Sequence, residues 1–179
     1  MSKTALILID IQNIYFTEGN YLLSEPVEAA KKAKSILEIF RKEKMPVVHV
    51  KHLFKTDAYK EDSVFLNDIH ELVYPLEDEK VIEKKYPNAF LNTDLQDYLV
   101  DLEVEKLVIV GMMSHMCVDT TVRACQNYGY DVTVIGDACT TKDLQWNGNK
   151  ISAELVHNAY MAGLNGMFAN VILADEFKD

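Results

Sequence analysis

Lys106-Leu-Val-Ile-Val-Gly111, Met112-Met-Ser-His-Met116 and Cys117-Val-Asp-Thr-Thr-Val-Arg-Ala-Cys-Gln-Asn-Tyr128 follow one another without a break. The first stretch is an aliphatic run ending in glycine, the pattern of a strand buried on both faces. The second is a short turn, and the third carries helical periodicity. A thiol therefore stands where a strand ends and a helix begins, the place where α/β proteins gather function. Free N–H groups and the dipole at a helix N-terminus favour anions, so the position predicts a lowered pKa for Cys117. The same N–H groups suit the oxyanion that forms when a thiolate attacks a carbonyl. The competing explanation is a small apolar residue filling space, since free cysteine is often buried and inert.

Outward from this unit, apolar runs and helical stretches alternate along the whole chain. Thr4-Ala-Leu-Ile-Leu-Ile9 reads as a buried strand. Pro26 opens a helix in which Val27, Ala30, Ala33, Leu37 and Phe40 recur at helical spacing. Pro46-Val-Val-His-Val50 is a second strand, a short helix falls around Val64 to Val73, and Lys80-Val-Ile-Glu83 is a third strand. Thr93 caps a helix to about Leu102. After the Lys106–Val110 strand and the helix from Cys117 come a fifth strand, Asp131-Val-Thr-Val-Ile-Gly136, and a helix from Ser152 through Leu164. Phe168-Ala-Asn-Val-Ile-Leu173 closes the sheet. Strands alternating with helices imply βαβ units: a single-domain α/β, Rossmann-like three-layer sandwich over residues 1–179, with a six-stranded parallel sheet.

The chain has 179 residues, 49% hydrophobic and 26% charged, which are globular values for one domain. Its formal charge of −10, with lysines spread along helices, argues against a nucleic-acid or anionic-membrane partner. Met1 to Asp10 lack the pattern of a signal peptide, and no apolar run approaches the ~20 residues needed to span a bilayer. Three cysteines without metal-like spacing do not suggest a disulfide framework, so a reducing cytoplasm is the expected location.

In a parallel sheet the carboxyl ends of all strands share one edge. Asp10 follows the first strand, Lys84 the third and Cys117 the fourth. Each has an innocent explanation: Asp10 in a turn with Gln12 and Asn13, Lys84 as a solvated charge beside Lys85, Cys117 as packing. Together they make a reactive set. A carboxylate raised in pKa by burial serves as base for the thiol, and an ammonium between them holds the thiolate.

Asp10-Ile-Gln-Asn13, Lys84-Lys-Tyr-Pro-Asn-Ala-Phe90 and Gly111-Met-Met-Ser-His-Met-Cys117-Val-Asp-Thr-Thr-Val-Arg-Ala124, with Gly136-Asp-Ala-Cys-Thr140 and Ala153-Glu-Leu-Val-His157, resemble the isochorismatase-like cysteine hydrolases. The resemblance runs from Ala5 to about Asp175. It implies an Asp–Lys–Cys triad at Asp10, Lys84 and Cys117, the lysine chosen by its position five residues before Ala89. It also implies a cis peptide at Met112–Met113 that aims the Met113 and Cys117 amides at the oxyanion, and a homo-oligomer, dimer or tetramer. Family members that act on a vinyl ether do without the thiol. Cys117 therefore favours acyl transfer on a small amide or related carbonyl compound, through a covalent thioester and without a cofactor.

Nicotinamidases of this family carry an Asp-Trp-His style metal motif after strand two. Here that region reads His49-Val-Lys-His-Leu-Phe54, and residues three apart on a strand point to opposite faces. Asp57 and Glu61 have no fixed relation to either histidine, so no metal site is expected. His49 belongs in the sheet, whereas His52 is either structural or a pocket residue. Tyr15, Phe16, Phe90, His115, Met116 and Trp146 are the candidate pocket walls, an aromatic slot for a small planar substrate. Cys125 is expected to pack on the sheet, Cys139 to lie near the same edge, and His157 to be a packing or subunit-contact residue. Three readings compete: the hydrolase, a non-catalytic scaffold on the same fold, and a redox-responsive thiol protein.

Overall fold

The residues of β1 (Lys3–Ile9) divide by parity. Ala5, Ile7 and Ile9 belong to one apolar core and Leu6 and Leu8 to another, so the strand is covered on both sides. This computed structural model describes residues 3–17, 21–53 and 63–178. Around β1 stand β2 (Val47–His52), β3 (Lys80–Lys84), β4 (Val104–Met112), β5 (Asp131–Thr140) and, after a short hairpin, β8 (Asn170–Ile172). They form one six-stranded sheet in the order β3-β2-β1-β4-β5-β8, with every pairing parallel. The hairpin is β6 (Leu144–Trp146) with β7 (Asn149–Ile151).

One face of the sheet is covered by α1 (Pro26–Lys42), which buries Ala29, Ala30, Ala33, Ile36, Leu37 and Phe40. Truncating a fully buried phenylalanine such as Phe40 to alanine costs about 3–5 kcal/mol. Val27, expected on this face, is 43% exposed, and Ala29 and Ile36 supply the contact instead. The other face meets α3 (Leu95–Asp101), α4 (Asp119–Cys125) and α5 (Ala153–Leu164), through Leu95, Leu99, Val122, Met161 and Leu164. The three-layer α/β sandwich and its six-stranded parallel sheet are therefore as the sequence implies. Cys125 packs on the sheet as expected, its thiol donating to Thr121 O at 3.2 Å. No helix of the described residues is long and apolar enough to cross a membrane.

Several boundaries differ for local reasons. The helix expected around Val64 to Val73 is α2 (Ser63–Asn67) followed by a 3-10 turn at Glu71–Val73. Between them Ile69 bridges to Gln12, and His70 N donates to Ile11 O at 2.8 Å, which takes the backbone out of the helix. Thr93 Oγ1 donates to Ala89 O and accepts from Leu95 N at 3.4 Å, but α3 starts after Asp94, one residue beyond the expected Thr93 cap. Strand β5 continues beyond Gly136 to Thr140 across a register break, with Ile109 opposite Val134 and Gly111 opposite Cys139. At Gly111, φ is +137° and a Cβ would lie 2.1 Å from Ile9 O. Only glycine lets β4 close on β1 there.

On the α1 face His49 Nε2 meets Glu79 Oε2 at 2.9 Å, and Arg41 Nε reaches Glu79 Oε1 at 2.7 Å. Burial raises the Glu79 pKa, but hydrogen bonds from Arg41, Leu76 N and His49 outweigh it and hold it at about 2. Burial lowers the His49 pKa, and its Nδ1 has no hydrogen-bond partner among the described residues to receive a new N–H. All five histidines are shifted down by burial, while burial pushes the Cys125 and Cys139 thiols up to about 12.

The unfolded chain takes up imidazole protons below about pH 6.5 and releases thiol protons above about pH 9, whereas the folded chain does so only at lower and at higher pH respectively. Glu79 adds a further acid loss below about pH 4.5, where the unfolded carboxylate protonates first. Asp10, with its raised pKa, works the other way on the acid side. The melting temperature should be highest between about pH 6.5 and 9 and fall on both sides. His49→Gln, which keeps a donor toward Glu79, should shallow the acid limb. A melting temperature that rises steadily down to pH 5 would contradict this account.

Candidate active site

Lys84 is the last residue of β3 and 1% exposed, and its ammonium is held by three groups. Nζ donates to Asp10 Oδ2 at 2.6 Å and to Cys117 Sγ at 3.2 Å, and lies 2.8 Å from His52 Nδ1. Topology brings these together. In the β2–β3 register His52 stands opposite Lys84, and paired residues of parallel strands project to the same face. Parity puts both on the face of Val48, Val50 and Ile82, where Cys117 lies. Asp10 comes next along, because β1 pairs with β2. Its N–H donates to Val50 O at 2.9 Å and its backbone is left-handed, φ +50°, a conformation aspartate tolerates.

Cys117 does not begin a helix. The peptide Met112–Met113 is cis, as the resemblance implies, and residues Ser114–Val118 form a π turn leading into α4. Met116 N and Val118 N both donate to Met113 O, at 3.0 and 3.3 Å. The thiol is thus inside the wide turn and 3% exposed, and the expectation of a lowered pKa is overturned. Burial pushes the Cys117 thiol up and the Asp10 carboxylate adds to it, with Lys84 only partly opposing. Burial also raises Asp10, against the Lys84 charge and hydrogen bond and contact with the thiol. Asp10 Oδ1 is buried and has no hydrogen-bond partner among the described residues.

His52 belongs to this group, a role the sequence left open. Burial and then the Lys84 charge push its pKa down to about 4, so the ring is neutral. Gln12 fixes the His52 backbone from both sides: Oε1 accepts from His52 N at 2.8 Å and Nε2 donates to His52 O at 3.1 Å. A third bond, Gln12 Nε2 to Asn67 O at 2.6 Å, ties α2 to the same point. The signal for His52 was its parity with Val48 and Val50. It was obscured because the expected strand stopped at Val50, two residues short.

The expected wall residues fare unevenly. Met116 adjoins Cys117 in the chain and is 41% exposed. His115 Nδ1 lies 2.5 Å from Thr141 Oγ1, with the ring edge-on to Tyr160. Phe90 is buried in the same apolar cluster as Cys117 and is lined up with the Tyr128 and Tyr130 rings. Phe16 stacks on His70, ring centroids 3.8 Å apart. Tyr15 is corrected: the 3-10 turn at Asn13–Tyr15 sends it into the core under α1, 2% exposed. Trp146 is corrected too. It lies on the β6–β7 hairpin, not in a loop over the site, and is 79% exposed. His157 does pack, its Nδ1 lying 2.8 Å from the hydroxyl of Ser114 at the start of the π turn. Cys139 is buried at the end of β5.

Asp10, His52 and Cys117 offer donor atoms within 4.8 Å of one another, a geometry that suits a metal ion. These are also the three partners of Lys84 Nζ, so the resident cation is the ammonium, and a divalent ion would have to share a buried centre with it. His49 is on the other face with Glu79, and Asp57 and Glu61 lie outside the described residues.

An α/β sandwich with a carboxylate, an ammonium and a thiol at the carboxyl edge of its parallel sheet defines a class of hydrolase. Residues 4–176 match the isochorismatase domain, and the chain belongs to the isochorismatase family of hydrolases. It is 45% identical to the uncharacterized isochorismatase family protein YddQ of Bacillus subtilis, across 97% of this chain and 98% of that one. It is similar to the crystal structure of an isochorismatase from Pseudomonas putida KT2440, at 36% identity and a TM-score of 0.92, covering 98% and 90% of the two chains. A more distant relative is nicotinamidase 3 of Arabidopsis thaliana, 23% identical over 97% of this chain and 86% of that one.

Because the ammonium occupies the donor triangle, EDTA should leave both the melting temperature and the rate of Cys117 alkylation unchanged. Purified protein should carry less than ~0.1 equivalent of zinc or iron by elemental analysis, since tight metal binding stabilises a fold by mass action. One zinc per chain with a melting point several degrees higher would reverse this expectation.

Proposed function

We infer that the protein is a cysteine-dependent hydrolase of a small-molecule amide or related carbonyl compound, working through a thioester. The observation that carries this reading is the fully buried ammonium of Lys84 between the Asp10 carboxylate and the Cys117 thiol. Two charges and a thiol withdrawn from water together are costly for a scaffold to maintain and are what nucleophilic catalysis requires. The likeness to a nicotinamidase supports an amide as the bond attacked.

In the proposed cycle the Cys117 S–H proton passes to Asp10, and the sulfur attacks the carbonyl carbon. Backbone amides of Met113 and Cys117 receive the oxyanion. The tetrahedral species collapses with loss of the C–N bond, and the amine leaves with the proton held by Asp10. Asp10 then takes a proton from water, whose oxygen attacks the thioester. The C–S bond breaks, the acid departs, and the proton returns to Cys117. Asp10 Oδ2 is engaged with Lys84, so Oδ1 is the oxygen that carries the proton. In this reading Met116 and His115, beside Cys117 in the chain, and Phe90 select the substrate. The redox reading gains no support, since the three cysteines are free and buried and burial keeps their thiols protonated.

A panel of amides, carbamoyl compounds and lactams, assayed by product release, tests the reading. Cys117→Ala and Cys117→Ser should abolish turnover with an unchanged circular dichroism spectrum, and Asp10→Asn should slow it at least ~100-fold. A Cys117→Ala enzyme with near wild-type turnover would replace the thioester with direct attack by water.

A further inference from the structure

We propose that His52 is a positioning residue: its Nδ1 is the third acceptor of the Lys84 ammonium, and so holds that cation between Asp10 and Cys117. The proposal rests on the reading of Cys117 as the nucleophile. An ammonium has three N–H groups and no lone pair. The three groups around Lys84 Nζ, at 2.6, 2.8 and 3.2 Å, therefore match its donors one for one. Because the lysine can only donate, Nδ1 accepts and the ring proton resides on Nε2.

Without His52 one buried N–H would have no acceptor at that position. The ammonium would then turn toward Asp10, its short and charged partner, and away from the sulfur at 3.2 Å. Hydrogen bonding to a charged form stabilises it, so loss of the acceptor also weakens the ammonium that the thiolate depends on. The groups facing the lysine are Asp10 beyond β1, His52 on β2 and Cys117 in the π turn. Lys51, next to His52, is turned away to Asp68 at 3.0 Å. A neutral imidazole does what a second carboxylate could not. It accepts from the ammonium without adding an anion that would raise the thiol further.

The placement of His52 is built, not incidental. Gln12, itself buried, spends both ends of its side chain on the His52 backbone, two residues after the base that Lys84 also binds. One short segment, Asp10 to Gln12, thus sets one acceptor of Lys84 directly and a second through His52.

Three substitutions separate the atoms. His52→Asn keeps an acceptor near Nδ1, His52→Gln places its polar atoms near Nε2 instead, and His52→Leu removes both. The readout is alkylation of Cys117 by iodoacetamide across pH 6–10, with intact mass and peptide mapping. Wild-type Cys117 should be modified, and His52→Asn should stay within about threefold of it. His52→Leu and His52→Gln should react about tenfold more slowly at each pH, since one pH unit in a thiol's pKa is a tenfold change in thiolate population. If His52→Leu aggregates, the Asn and Gln pair carries the comparison alone. Equal rates for Asn and Gln across the range, or a His52→Leu profile identical to wild type, would overturn the positioning role. Turnover that survives Cys117→Ala would instead overturn the nucleophile reading on which the role depends.

Discussion

Everything at the carboxyl edge of the sheet is arranged around one buried cation. The Lys84 side chain is fully withdrawn from solvent, and a lone ammonium there would be several kcal/mol out of favour. It is tolerable because Asp10 supplies the opposite charge and because Cys117 and His52 add neutral acceptors, which leaves the group with no net charge. That requirement dictates topology. The partners come from β1, β2 and the turn after β4, and in the sheet order β3-β2-β1-β4 these are successive neighbours of the strand that ends in Lys84. Removing the ammonium would strand the Asp10 carboxylate, a loss of about 3–5 kcal/mol for a broken buried pair.

The same arrangement accounts for how, in the proposed function, a thiol with a raised pKa serves as the nucleophile. A helix N-terminus would lower the pKa of the resting thiol, but here burial dominates and the resting thiol keeps its proton. In that proposal activation is a transfer inside the group. When the proton moves from Cys117 to Asp10, negative charge passes from one partner of the ammonium to another. The net charge of the buried centre does not change, so no new ion has to be desolvated. The π turn contributes by placing the sulfur beside Lys84 while its backbone is braced on Met113 O. His157 adds an anchor from α5 through Ser114.

Much of this was legible in the chain because it depends on strand ends. Unbroken aliphatic runs locate β1 and β4, a parallel sheet gathers its strand ends on one edge, and Asp10, Lys84 and Cys117 meet there. The features that escaped had no periodic signature. A π turn differs from the first turn of an α-helix by one residue of hydrogen-bond spacing, which side-chain pattern does not record. Trp146 looked like a pocket wall because the polar residues around it read as a loop, yet Gln145 and Trp146 pair with Lys150 and Asn149 across a hairpin. Tyr15 was misplaced because a 3-10 turn reverses the chain shortly after β1, too short a span for any repeat to show which side it faces.

The two histidines of β2 carry the lesson furthest. His49 and His52 sit three residues apart on one strand and therefore serve opposite faces. On the α1 face His49 joins Arg41 and Glu79 in a network across the sheet from Cys117, where it contributes to stability. On the other face His52 meets Lys84, the contact on which the proposed positioning role rests. His49 is buried and His52 half-buried, and burial lowers the pKa of both, so composition and ionisation do not tell them apart. Parity does, once the strand is known to run to His52 rather than stop at Val50. One strand thus separates the contacts that hold the sheet to its helix from those that hold the ammonium to its thiol, and substitutions at either position act without crossing the sheet.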